Sequence, residues 1–537
     1  MTTAHTALAL IGARLRTNTD SDAGATALLI SDGRIVKIGS DEQILRAADA
    51  AGVRARDLGG ATVTPGLFDS HTHPNWAADV TAGVDLGGLD SIERIREAIS
   101  AEHRRLPQGA WLRGWNLEYE PFEHSGMLGA LLEDVAPGRP VALICYDLHT
   151  ALATAPALAA AGIVGARNFD DSSEIVIDDR GVPTGELREP TAYKLLFDAA
   201  PKASLEARRD ALRDMFRKLA AVGLTGGAIM DGDEPTVELL GELEARGELD
   251  HRVTVHHWHA VGDSDEDMSR VIARKGRSGR LWDTNAIKLF SDGVIDTGTA
   301  WLHETDSRGD GLAAFWPSWE RFNEVVRAYH DAGMLIATHA VGDYAVNRVL
   351  EVYSVLPERP GLPSHTIEHL EVLSDAEVKA LRGSGITASM QPLHMQWREA
   401  DGGDNWAVRL GGDRAATGYR VRDVLDAGVR LTLGSDWPVA QYDPRLGMAW
   451  ARGRHTPGES SAHVFEPEQR LTGEEALLAY TLWPAQARGH ESRGVLEVDA
   501  VADLTVWGSD PVEASPDELP SVPIVMTVVD GRVVHEA

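Results

Sequence analysis

A single cysteine, Cys145, stands in 537 residues. An intramolecular disulfide is therefore excluded, and so is a thiolate-rich zinc or iron–sulfur site. Basic charge is also short. Against 82 Asp and Glu there are 51 Lys and Arg, which leaves a formal net charge of −31. A surface that acidic repels phosphate backbones and anionic lipids, so neither nucleic acid nor a membrane is an expected partner. The apolar patch Ala7 to Ile11 lacks a basic stretch before it and is far shorter than the roughly 20 residues of a membrane span. It reads as a β-strand, and the expected compartment is a reducing cytoplasm. Low-complexity tracts and long internal repeats are missing too.

What is there reads as α/β. Strand signals fall at Ala61 to Ser70, Leu224 to Met230, Arg252 to Trp258, Ala286 to Phe290, Leu335 to His339, His365 to His369, Thr387 to Gln391 and Leu431 to Ser435. Several are near-continuous apolar runs, as parallel strands buried on both faces require. Helical spacing lies between many of them; Ser204 to Val222 ends at Gly223 and Trp319 to Ala332 ends at Gly333. Eight strands in repeated βα units predict a (β/α)₈ TIM-like barrel over 61–489. The stretch 74–201 breaks the rhythm. It is an insertion after the first barrel strand, at the face where such barrels carry their chemistry, and it is placed to roof a pocket.

The two ends of the chain are alike in style. Asp32-Gly33 and Asp530-Gly531 each sit between β-branched runs. Asp-Gly there is a hairpin signal, because both turn positions need positive φ. With a further strand at Ala502 to Trp507, residues 1–60 and 490–537 predict one small β-sandwich built from both termini.

The sharpest local motif is His71-Thr72-His73 at the end of the first barrel strand. Alternation along a strand puts both imidazoles on one side, where both can reach one ion. Later strands end on Lys288, His339, His369 and Asp436. In a barrel those ends converge on one mouth, and buried ionisable groups are costly unless paired or bound to metal. Lysine is the odd member, because an ammonium repels a cation. Lys288 either reacts with carbon dioxide to give a carbamate, the state its fourth-strand position favours, or stays an amine with its pKa lowered.

Segments spread over nearly the whole chain carry a resemblance: TPGLFDSHTH (64–73), PTGELRE (183–189), IKLFSDG (287–293), THAVGDYAV (338–346), IEHL (367–370), SMQPLH (389–394), GSDWPV (434–439) and LTGEEALLAYT (471–481). Their order resembles the amidohydrolase superfamily, in its amidohydrolase-3 branch of YtcJ-like proteins and N-substituted formamide deformylases. The resemblance implies a distorted barrel with a terminal β-sandwich. It further implies His71, His73 and Asp436 as ligands of one metal ion, His339 and His369 as ligands of a second, and Lys288 as the bridge. The chain departs from the family at Asp147-Leu148-His149, where Asp-Gly-His is frequent, and in the run 498–503, which lacks a late glycine.

The expected activity is metal-dependent hydrolysis of an amide C–N bond, with zinc as the first candidate metal, one or two ions, and Asp436 as proton shuttle. His149 and His394 are candidates to orient or polarise the substrate carbonyl. His256, His257, His259, Glu186 and Arg188 are lesser candidates for the pocket. Trp76, Trp115, Trp301, Trp397 and Trp437 are candidates for an aromatic substrate wall, with Trp76 and Trp437 foremost. The expected partner is a small-molecule amide, and a homodimer is the default assembly. The competing readings are a deaminase or cyclic-amide hydrolase on the same metal site, an iron oxygenase, and a non-catalytic binding protein on this scaffold.

Overall fold

The first barrel strand is shorter than its sequence signal. The run from Ala61 to Ser70 divides at Gly66: Thr62–Pro65 joins a terminal sheet and Leu67–Thr72 enters the barrel. Gly66 makes the crossing possible, since a Cβ there would lie 2.2 Å from the Thr225 hydroxyl. Its N–H donates to the Asp503 carbonyl at 2.7 Å, which ties the crossing to the C-terminal segment. The computed structural model describes residues 7–19, 24–459 and 461–537.

The barrel is an eight-stranded parallel sheet. After Leu67–Thr72 come Leu224–Gly232, Arg252–Trp258, Trp282–Phe290, Leu335–Ala340, Thr366–His369, Thr387–Met390 and Arg430–Leu433. Each predicted strand is present. The second and fourth are longer than their apolar runs, and the seventh and eighth stop short of Gln391 and Ser435. The last strand meets the first through its continuation: the Asp436 N–H donates to the His71 carbonyl at 2.8 Å and the His73 N–H to the Trp437 carbonyl at 2.7 Å.

Side chains sort by face as alternation demands. Val255, Ile287, Ile367 and Leu431 point outward into the layer shared with Phe216, Val326 and Val349 on the surrounding helices. Phe68, Ala228, Met230, Ala286, Leu335 and Ala337 pack inside as an apolar floor. The helix Leu205–Ala221 is capped by Ser204, whose side chain accepts from the Ala207 N–H, and Trp319–Asp331 is capped in the same way by Ser318.

Both predicted hairpins form, with φ of 52° and 78° at Asp32 and Gly33, and 52° and 76° at Asp530 and Gly531. One terminal sheet has four strands, all N-terminal. The other has five and combines Arg14–Leu15 and Thr62–Pro65 with Leu504–Trp507, Ile524–Val529 and Arg532–Glu536. Leu10, Ile30 and Val63 share a core with Leu496, Val506 and Val528, so the module needs both ends of the chain. The N-terminal strand forms as read, at Ala7–Ile11, and residues 1–6 of the predicted sandwich lie outside the described residues.

The insertion is more regular than its sequence suggested. Its core is a six-stranded mixed sheet that includes Leu112–Leu117, Val141–Cys145, Thr150–Ala153 and Pro183–Arg188, backed by the helix Ile92–Arg105. Tyr146, Asp147, Leu148 and His149, in the turn between two of these strands, hang over the barrel mouth as part of the pocket wall. Among the described residues, no helix is long and apolar enough to cross a membrane.

Candidate metal centre

His71 and His73 leave the first strand two residues apart and enter the same cavity. Asp436 is brought between them by the closing hydrogen bonds: its Oδ1 lies 3.1 Å from His73 Nε2 and 3.4 Å from His71 Nε2. Two donors on one tetrahedral zinc stand about 3.4 Å apart for bonds of about 2.1 Å, so these separations suit a shared ion. His71, His73 and Asp436 form one buried group whose donor atoms lie within 4.8 Å of one another, and His369, His394 and Asp436 form a second. His394 Nε2 is buried without a hydrogen-bond partner and stands 3.9 Å from Asp436 Oδ2. An unsatisfied imidazole nitrogen facing a carboxylate at that distance is what a cation between them would resolve. The donors present therefore fit a divalent ion.

Backbone conformation aims two of these side chains. Alternation would put Glu368 and His369 on opposite faces of their strand. A φ of 75° at His369 turns its side chain back into the barrel, and Asp436 has a φ of 58°. Such left-handed positions in residues other than glycine cost energy and collect at functional sites.

A ring of partners fixes the imidazoles. His71 Nδ1 is 2.6 Å from Glu368 Oε2, which leaves its Nε2 for the centre. His339 Nε2 is 3.0 Å from the Gly293 carbonyl, leaving Nδ1. Metal-binding histidines commonly donate their second nitrogen in this way. The His339 and His369 rings lie 4.4 Å apart, centroid to centroid, tilted at 58°. Lys288 is wholly buried at 3.2 Å from His71 Nε2, and burial lowers its ammonium to about 8. Burial, reinforced by the charge of Lys288, drives His71 and His339 well below the ordinary imidazole range, and the same holds for His369 with His339 as a further neighbour. Burial alone would raise Asp436, but the hydrogen bond and charge of His73, with His394 and Lys288, hold it below the usual carboxylate range.

A family model for amidohydrolases (Amidohydro_3) matches residues 54–535. The chain belongs to this amidohydrolase family. N-substituted formamide deformylase from Arthrobacter pascens is 30% identical to it over 547 residues, covering 98% of each chain. The Bacillus subtilis (strain 168) protein YtcJ is 29% identical over 521 residues, covering 95% of this chain and 96% of its own. A metal-dependent hydrolase from Pyrococcus horikoshii OT3 superposes with a TM-score of 0.74 at 23% identity, over 95% of this chain and 99% of that one, which shows the shared fold. With its two buried His-His-Asp groups, this amidohydrolase is a metal-dependent hydrolase.

His149 and His394 both line the amidohydrolase pocket. His149 Nδ1 is 2.7 Å from Glu189 Oε2. Burial would lower this imidazole, but the charge and hydrogen bond of Glu189, together with Asp147, raise it to about 9. His394 Nδ1 lies 3.5 Å from Glu371. The candidates of the third strand stay out of the cavity: His257 is buried on the helix side, and His259 Nδ1 meets the Tyr329 hydroxyl at 2.9 Å. Trp258, on the inward face, lines the pocket instead.

Of the tryptophans, Trp76 and Trp397 line the cavity, whereas Trp115, Trp301 and Trp437 do not. Trp437 turns away to pack edge-on against Trp115 and Tyr442, with centroids 5.8 and 4.9 Å apart. Glu186 and Arg188 also fall outside the pocket, because they pair with each other at 2.7 Å. The position that counts in that motif is Glu189.

Sequence reasoning missed Glu189, Glu368, Asp69 and Asp292. Each lies inside or beside a recognised motif, and that adjacency was the available signal. Asp69 accepts from the His71 N–H at 3.1 Å, the Ser435 N–H at 3.0 Å and the Ser435 hydroxyl at 2.6 Å. It binds the two ends of the metal group together, and burial raises its pKa to about 6. Asp292 accepts from the N–H groups of Trp301, Val341 and Gly342, and burial raises it to about 7.

Proposed function

We propose that this amidohydrolase hydrolyses the C–N bond of a small N-substituted amide, with Asp436 as proton carrier. The observation that carries the reading is that Asp436 belongs to both His-His-Asp groups. In this reading His71, His73 and Asp436 hold one ion. His339 and His369 would hold a second, within reach of His394 and Asp436, and Lys288 would bridge as a carbamate. Zinc is the first candidate for this nitrogen and oxygen donor set. The lowered pKa of Lys288 supports the carbamate, because only the neutral amine attacks carbon dioxide. A divalent ion bound here supplies Lewis acidity and makes water acidic enough to react near neutral pH.

The residues supply the rest. Asp436 accepts the proton of the attacking water and delivers it to the leaving nitrogen. That delivery is essential, since an amide anion is a poor leaving group. The oxygen of water bonds to the carbonyl carbon, the C–N bond breaks, and an acid and an amine result. His149, held by Glu189, and His394, held near Glu371, orient the carbonyl oxygen. Trp76, Trp258, Phe290 and Tyr193 form an apolar wall suited to a hydrophobic N-substituent. The name of the Arthrobacter pascens relative makes N-substituted formamides the first compounds to try.

The test is metal content per chain by elemental mass spectrometry on protein purified without chelator, followed by assays of N-substituted amides before and after chelation. Activity should disappear on chelation and return with metal. Two ions per chain would support the bridging carbamate, and one would remove it. Protein that neither binds metal nor turns over any amide after reconstitution would overturn the reading.

A further inference from the structure

At the opposite end of the barrel, beneath the apolar floor, the charge of the molecule reverses. Arg252, Arg488, His490 and Arg493 line both of two adjoining cavities there, the larger about 290 Å³. Gly66, Arg252 and Trp282, at or just before the starts of barrel strands, border the same space, which places it at the N-terminal mouth. In a chain of net charge −31, four arginines, counting Arg280, around one cavity need an explanation.

Two of them have one. Arg252 donates to Asp503 at 2.7 and 3.1 Å, and Arg280 pairs with Asp530. The other two are not matched. Arg488 is only 8% exposed, and its Nε is buried without a partner. One terminal nitrogen reaches the Pro484 carbonyl at 3.2 Å, and the guanidinium lies 4.4 Å from the centre of the Phe68 ring in the floor. Arg493 has no side-chain hydrogen bond or ion pair to any described residue. Asp283 is the remaining carboxylate of the cavity; it accepts from the Thr254 hydroxyl at 3.3 Å and the Asn285 N–H at 3.4 Å. Asp503 and Asp530, already held by Arg252 and Arg280, also act on Arg493, and Glu368 and Asp69 act on Arg488, but through charge alone; among the described residues, neither Arg488 nor Arg493 has a carboxylate within hydrogen-bond reach. Burial, with Arg493 and Arg488 as neighbours, lowers His490 to about 3, so that imidazole stays neutral and adds no charge. A buried guanidinium left without acceptors is costly, and a bidentate oxyanion satisfies it in the geometry it prefers.

We propose that the N-terminal mouth of the barrel is a second binding site, for a small oxyanion of the phosphate or carboxylate class, held by Arg488 and Arg493. It lies apart from the metal centre and does not depend on the substrate assigned there. The larger cavity has room for one such ion with its waters, and Arg493 lines it beside Arg488.

The probe is inorganic phosphate, titrated calorimetrically into the metal-loaded protein, with acetate as the carboxylate arm. One saturable site should weaken about 10-fold or more in Arg493→Gln, the loss of one charge-assisted contact, and be kept in Arg493→Lys. Amide turnover should be unchanged in both, since Arg493 lies outside the catalytic pocket. Wild-type protein gives a second readout: phosphate should slow phenylglyoxal modification of Arg493, located by peptide mass. Binding that is indifferent to Arg493→Gln would place the anion elsewhere on the protein and overturn the proposal. So would the absence of binding together with unprotected Arg493. Binding of acetate but not phosphate would keep the site and assign it to carboxylates.

Discussion

The main-chain N–H of Asp436 donates to the carbonyl of His71 at 2.8 Å. This hydrogen bond, one of the two that close the barrel, therefore also helps to set the spacing of two candidate ligands. Metal-site geometry and barrel closure are the same structural event here, and disturbing either should disturb both.

Asp436→Asn is nearly isosteric but cannot carry a proton. It should retain metal by elemental analysis and lose turnover by about 10²- to 10⁴-fold, the usual weight of a positioned acid–base group. Near-wild-type turnover would remove Asp436 from the proton-carrying role.

Glu368→Gln acts through His71. Replacing the carboxylate 2.6 Å from Nδ1 weakens the hold on ring orientation and on tautomer. Metal affinity, measured by competition with a chelator, should fall about 10- to 100-fold. An unchanged affinity would mean that the strand alone positions His71.

Gly434→Ala tests closure. A Cβ at Gly434 would stand 2.7 Å from both the Cβ and the backbone nitrogen of His71. Overpacking of this kind costs about 1–3 kcal/mol. The thermal midpoint and the metal content should fall together; a drop in stability with full metal content would separate the two.

Glu475 gives a pH-dependent prediction far from the pocket. Its hydrogen bond with Arg422, one contact of which is 2.9 Å, lowers its pKa from 4.5 to about 2, with help from the Thr472 cap. The folded value lies below the unfolded one, so this stabilisation is complete above 4.5 and is lost as pH falls toward 2. Glu475→Gln should lower the denaturant midpoint at pH about 7, and the gap from wild type should narrow steadily below pH about 4.5. A gap constant with pH would mean that the ion pair contributes nothing.

Local patterns made much of this molecule legible. The Asp-Gly turns, the eight strand signals and the His-Thr-His pair depend on neighbours within a few residues, where φ preference and alternation act directly. The residues that sequence alone left unread act across long separations. Asp69 reaches Ser435 over 366 positions, and Glu368 reaches His71 over 297. Trp76, beside the His pair, does line the pocket, but Trp437 does not, for a related reason: adjacency to a ligand places the Cα of Trp437 but not the direction of its ring.

Composition excluded disulfides and made nucleic acid and anionic membranes unfavourable partners, and the motif series announced a barrel hydrolase with its candidate ligands. Only the tertiary structure decided that Gly66 divides the first strand between two sheets, that His394 joins His369 and Asp436 in a donor group, and that two unmatched arginines meet beneath the floor. Sequence carries residue types and local geometry. Distances between side chains far apart in the chain come from strand register and closure, and no local pattern encodes them.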